Sequence, residues 1–191
     1  MKAVAKSERP TVAHADISAR IDALDWAQIS ADLDGYGWAH TRKLLTADQC
    51  AALSGLYGDE QHFRSTIVMA RHGFGRGEYK YFAYPLPDII ATLRPLLYSR
   101  LVGIANRWND AMQIEVRFPQ THADFIKRCH AAGQTRPTPL LLQYGAGDYN
   151  CLHQDLYGEH VFPLQVVILL AEPERDFTGG EFVLTDRKSV V

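Results

Sequence analysis

Apolar residues recur at helical intervals over most of the first 139 positions, then give way to strand-like runs. Ile17, Ile21, Leu24, Ile29 and Leu33 follow a loose helical spacing behind a capping Asp16, which predicts one or two short helices ended by Gly35 and Gly37. Residues 36–45 read as a short strand or extended segment. Thr46-Ala-Asp-Gln49 matches a capping box, in which a hydroxyl and an amide satisfy backbone groups left bare by the first turn. Cys50, Leu53, Leu56 and Tyr57 follow at helical spacing. Residues 64–70 and 78–84 predict two strands joined by the loop Arg71-His-Gly-Phe-Gly-Arg-Gly77.

Pro85-Leu-Pro87 then opens a long helix over 88–112, with Ile89, Leu93, Leu97, Leu101, Ile104 and Trp108 among its apolar stripe. Pro95 should kink or split it, because the ring removes a backbone donor and crowds the preceding turn. Another helix is predicted over 120–132, ended by Gly133, and Arg136-Pro-Thr-Pro139 is a stiff linker. Beyond Pro139, residues 140–144, 149–153, 161–171 and 181–184 are rich in β-formers and separated by glycine-containing turns. The expected class is α+β: a lead-in over 1–15, a helical part with a β-hairpin over 16–139, and a sheet-forming part over 140–191, all within one domain.

Composition narrows the function. With 47 % apolar and 22 % charged residues the chain is an ordinary globular one, which argues against disorder. A net charge of −2 gives no global field for nucleic acid or an anionic membrane. The first ten residues lack the apolar run of a secretory signal, and no stretch approaches the roughly 18 to 20 apolar residues of a membrane span. Cys50, Cys129 and Cys151 are far apart and form no CxxC pair, so neither a disulfide framework nor a thiolate zinc site is indicated. A reducing cytoplasm is the expected location.

Three His-x-Asp triplets are present: His14-Ala-Asp16, His122-Ala-Asp124 and His153-Gln-Asp155. In extended backbone, residues two apart point to one face and can reach one ion; in a helix they lie about 200° apart and cannot. The first triplet falls in the lead-in and the second opens a helix. The third follows an alternating strand, with Tyr149 and Cys151 on the face of His153. An imidazole and a carboxylate so placed make two corners of a facial triad that binds Fe(II) and leaves positions open. Alone, the triplet reads more simply as a hydrogen-bonded histidine at a strand end followed by a turn-forming aspartate.

The surroundings shift that balance. Tyr144-Gly-Ala-Gly147 leads into His153-Gln-Asp155, an apolar run follows over 161–171, and then comes Asp176-Phe-Thr-Gly-Gly-Glu-Phe-Val-Leu184. Residues 140–186 resemble the catalytic core of Fe(II)- and 2-oxoglutarate-dependent oxygenases, in the prolyl-hydroxylase-like branch. The resemblance implies N-terminal helices packed on an incomplete double-stranded β-helix, or jelly roll, whose first half lies over 140–191. It makes His153 and Asp155 iron ligands and Tyr144 a wall or hydroxyl donor for the co-substrate, where the bare sequence equally allows a core tyrosine. It implies Fe(II) as cofactor, 2-oxoglutarate as co-substrate, ascorbate as a reductant in support, and hydroxylation of a substrate C–H bond.

The family's later histidine, and the Arg or Lys that pairs with 2-oxoglutarate, are not supplied by position 191, and His160 is a poor substitute so close to the pair. Weak or absent activity is therefore expected of these 191 residues, as of a fragment. The branch suggests a small-molecule or peptidyl substrate. Nucleic acid is the rival, disfavoured by the acidic balance, and the loop Arg71–Gly77 is the one basic, aromatic, glycine-rich spot that could meet a substrate. A cupin-like metal enzyme that does not use 2-oxoglutarate, or a non-catalytic interaction module, are the alternative readings. Oligomeric state is left open by the sequence, and no membrane contact is expected.

Overall fold

The computed structural model describes residues 12–155 and 158–185. The expected lead-in falls mainly on residues 1–11, outside the described residues, and helix α1 (Val12–Asp22) already covers its end. Asp16 therefore lies inside α1 rather than capping it, and its carboxylate accepts from Arg20 at 2.6 Å, one turn on. Helix α2 (Trp26–Tyr36) is capped instead by Asp25, whose carboxylate accepts from the Gln28 N–H. It ends on Gly37 at φ 78°, a left-handed cap that a residue with a Cβ resists. Helix α3 (Ala47–Gly55) carries both bonds of the capping box: Gln49 N–H to Thr46 Oγ1 and Thr46 N–H to Gln49 Oε1. The stretch 36–45 forms no strand; Leu44 and Leu45 are buried from an irregular backbone.

The predicted hairpin forms as β1 (Phe63–Val68) and β3 (Glu78–Phe82), antiparallel, with Ile67 opposite Tyr79. Strand β4 (Leu140–Gln143) pairs antiparallel with the other side of β3, so β3 is central in the order β1-β3-β4. Between β1 and β3 a two-residue strand β2 (Gly75–Arg76) reaches across to β5 (Tyr149–Asn150), making a second small sheet. The described residues are thus a mix of helices and two small antiparallel sheets.

Helix α4 (Asp88–Ala111) runs through Pro95 without being split. Proline forfeits one turn's bond there, and the burial of Leu93, Leu97 and Leu101 against Ile17 and Ile21 of α1 outweighs the loss. Helix α5 (His122–Ala131) is capped by Thr121, which accepts from the Asp124 N–H. A second cluster joins α4 to α5 through Tyr98, Val102, Ala105, Phe118, Phe125 and Cys129. No helix among the described residues is long and apolar enough to cross a membrane.

The strand expectation fails over 161–171 and 181–184, where no ladder forms among the described residues, and over 149–153 it holds only for Tyr149–Asn150. β-forming residues favour an extended backbone, but a strand also needs a hydrogen-bonded neighbour. The segment 161–171 keeps a side-chain alternation except at Val166, which is exposed. Phe162, Leu164, Ile168 and Leu170 pack on the helical clusters, while Gln165, Val167 and Leu169 are exposed. Phe162 sits among Tyr98, Phe118 and Phe125, with ring centroids 5.1, 5.0 and 5.9 Å away. The irregular segment is therefore anchored by one face.

His122 packs edge-on against Tyr98. Burial, with Arg94 beside it, lowers the His122 imidazole from 6.5 to about 4. Because the folded-state value is depressed, the unfolded chain takes up a proton first. Its contribution to stability is complete above about pH 6.5 and is lost as pH falls towards about 4. Urea unfolding of His122→Asn across that window should show a smaller acid-induced loss than the wild type; identical losses would show that His122 is not coupled to folding.

Candidate metal centre

The backbone sorts the three His-x-Asp triplets. His14 and Asp16 both belong to α1, and His122 and Asp124 both lie in the first turn of α5, where the helical twist separates the two side chains. His153 and Asp155 lie in non-helical backbone just beyond β5. His153 thus follows the strand rather than ending it. Their side chains meet: His153 Nε2 is 3.5 Å from Asp155 Oδ1, and both are close to half exposed, at 47 % and 46 %.

The other imidazole nitrogen is already engaged. His153 Nδ1 lies 2.8 Å from the Cys151 carbonyl oxygen. A carbonyl only accepts, so Nδ1 carries a hydrogen and donates it, and Nε2 is the nitrogen turned to the carboxylate, with a lone pair in the neutral ring and an N–H in the imidazolium. In the neutral ring two electron-rich atoms face each other, an arrangement that a cation between them satisfies, either a proton on Nε2 or a metal ion. Ligands about 2.1 Å from an ion and at right angles to each other stand about 3 Å apart, so the pair needs only a small adjustment to hold one. Asp155 is held from behind as well, since its Oδ2 accepts from the Gln165 amide at 3.0 Å. The donor set suits a divalent transition metal.

Among the described residues no third His, Cys, Asp or Glu joins the two. His160, the last histidine of the sequence, is tied elsewhere. Its backbone N–H donates to Gln134 Oε1, its carbonyl accepts from the same amide, and its ring faces Glu159 at 3.9 Å. The turn after the apolar segment is locked by charge. Arg175 bridges Glu172 and Asp176, and the Asp176 carboxylate also accepts from the Glu172 N–H. The Arg175 guanidinium, with that backbone bond, holds Asp176 down to about 2.

The loop Arg71–Gly77 lies directly against the approach to the pair. Gly75 opposes Asn150, Arg76 opposes Tyr149, and the Cys151 N–H donates to the Phe74 carbonyl at 2.8 Å. Gly75 has φ +126°, and a Cβ there would fall on the Tyr149 carbonyl oxygen, so glycine alone allows the two backbones this close. The Tyr144 ring covers Gly77, and Arg76 pairs with Asp148 at 3.3 Å. Partial burial raises the Tyr144 phenol above its ordinary value, opposed by a hydrogen bond with Asn150, so it remains a neutral hydroxyl. At the loop tip the His72 and Phe74 rings stack 5.2 Å apart, with Phe74 exposed.

A family model described as "Oxygenase, catalysing oxidative methylation of damaged DNA" matches residues 77–191, more than half of the chain. The chain belongs to this oxygenase family. The matched stretch begins at the last glycine of the loop and takes in β3, α4, α5, β4, β5, His153 and Asp155. The chain is 51 % identical over 107 residues to two proteins of Mycobacterium tuberculosis, uncharacterized protein MT2286 of strain CDC 1551 and uncharacterized protein Rv2227 of strain H37Rv. That match covers 56 % of this chain and 46 % of each relative, so the chain spans about half the length of the relatives it matches. No solved structure matches it.

Sequence reasoning missed Gln165 and the cross-loop sheet. One signal for Gln165 was available: it is the only polar residue between Val161 and Leu170, and its position is odd where Phe162, Leu164, Ile168 and Leu170 are even. Nothing in a two-residue ladder announces itself. The Gly75 contact gives a direct check. Gly75→Ala should detach the loop from β5, seen as faster amide hydrogen exchange at Cys151 with the β1–β3 amides unchanged; unaltered exchange at Cys151 would contradict the close approach.

Proposed function

We propose that this protein is a non-haem Fe(II), 2-oxoglutarate-dependent oxygenase in which His153 and Asp155 are two of the metal ligands. The observation that carries the reading is the meeting of His153 Nε2 and Asp155 Oδ1 with the imidazole tautomer already set by the Cys151 carbonyl. Membership of an oxygenase family supports it from a second direction. Bound there, Fe(II) would supply oxygen activation coupled to decarboxylation of 2-oxoglutarate, with ascorbate keeping the metal reduced. The chain's own residues orient and shield. Cys151 fixes the imidazole, Gln165 turns the carboxylate, and Tyr144 offers a neutral hydroxyl beside the approach. In this reading the sheet-forming part belongs to a jelly roll of the prolyl-hydroxylase-like kind, and the protein works in the cytoplasm.

Under anaerobic conditions, adding Fe(II) and 2-oxoglutarate together should give the visible charge-transfer band of the chelate. His153→Ala and Asp155→Ala should each lose it, because either change removes one of only two identified protein ligands. Metal binding indifferent to 2-oxoglutarate would favour a cupin-like enzyme, and no metal binding would favour a non-catalytic interaction module.

A peptidyl or small-molecule substrate suits the branch. A damaged nucleic-acid base is the second reading, favoured by the stacked, outward-facing His72 and Phe74 with Arg71 and Arg76 beside them. The family's description points the same way. With a net charge of −2, phosphate contact would be local to that loop. Succinate release stimulated by a methylated single-stranded oligonucleotide, and reduced by Phe74→Ala, would select the base; stimulation only by proline-containing peptides or free amino acids would reject it.

A further inference from the structure

Gln165 is the only polar side chain in the apolar run between Val161 and Leu170. Of its neighbours at even positions, Phe162 and Leu164 on one side and Ile168 and Leu170 on the other pack on the helical core, while Val166 is exposed. The alternation therefore turns Gln165 to the opposite face, where its amide donates to Asp155 Oδ2 at 3.0 Å. Only the nitrogen end of an amide can donate to a carboxylate, so this contact has one chemical sense.

We infer that Gln165 is a positioning residue for the metal centre, holding the Asp155 carboxylate so that Oδ2 is occupied and Oδ1 is left to bind the ion together with His153. This inference rests on the reading of His153 and Asp155 as metal ligands. Three features give Gln165 that part. It meets the oxygen that does not face His153, so it does not compete for the donor atom. It is neutral, so it leaves the carboxylate its full charge for the metal, where a Lys or Arg would offset it. It is borne on a segment pinned by the Phe162 aromatic cluster, so its position is set by the core rather than by the exposed turn that carries Asp155. His153 has the matching arrangement through the Cys151 carbonyl, and the two outer contacts fix the two donors independently. Without Gln165, Asp155 can rotate and offer either oxygen, and each bound ion then has to select one orientation.

The test uses Co(II) as a spectroscopic stand-in for ferrous ion, titrated under argon into wild type, Gln165→Met, Gln165→Asn and Asp155→Ala. Methionine keeps the length and apolar stem while removing the donor; asparagine keeps the donor on a shorter arm. Outer contacts of metal ligands typically contribute about 10- to 100-fold in affinity, and a loss in that range is expected for Gln165→Met, with a changed Co(II) d–d spectrum and an unchanged melting temperature. Gln165→Asn should recover part of the affinity and the wild-type band shape, which a purely packing role would not produce. In metal-free protein, the Gln165 side-chain amide signals should move to solvent-like positions in Asp155→Ala. Equal Co(II) affinity and identical spectra for wild type and Gln165→Met would overturn this inference while leaving the metal site standing. A wild type that binds no Co(II) would remove the metal-site reading and this inference together.

Discussion

Phe162 is the residue on which the site's geometry turns. Its ring is lodged among Tyr98 of α4, Phe118 of the connection and Phe125 of α5, and so ties an extended segment to the helical core without any ladder. Aromatic packing of this kind buries a large area and resists sliding, because each ring must move past several others. From that anchor a two-residue alternation, interrupted at the exposed Val166, sorts the following side chains between two faces. The helical clusters take Phe162, Leu164, Ile168 and Leu170, and Gln165 turns away from them to the turn bearing Asp155.

The chemistry follows from a frustrated pair. An imidazole nitrogen and a carboxylate oxygen are held 3.5 Å apart by unrelated parts of the fold, one through the Cys151 carbonyl and one through the Gln165 amide. Neither gains from facing the other unless a positive charge lies between them. Oxygenase family membership and this arrangement support the same chemistry for independent reasons.

The helical half of the fold was legible because its signals are local. The Thr46–Gln49 capping box, the glycine after α2 and the apolar stripe of α4 each act within a few residues, and each does what its spacing predicts. Pro95 does not split α4, because the stripe it interrupts is long enough to hold the helix together across the missing bond. The strands beyond Pro139 were less legible, because β-forming side chains report a backbone preference and not the presence of a partner. The apolar run over 161–171 kept its two faces but not its predicted ladder. Of the candidate centre, the sequence could single out His153 and Asp155 by the period of extended backbone. It could not reveal that Nδ1 would be engaged or that a loop some 75 residues earlier would lie against their approach.

That loop carries a mechanical corollary. From the Phe74 carbonyl to the Cys151 amide, and from the Cys151 carbonyl to the His153 ring, two hydrogen bonds link the aromatic tip to the inward-facing nitrogen. Gly75 permits the backbones to touch, so there is little slack in the linkage. Pressure on the tip and tilt of the imidazole are consequently not separate degrees of freedom.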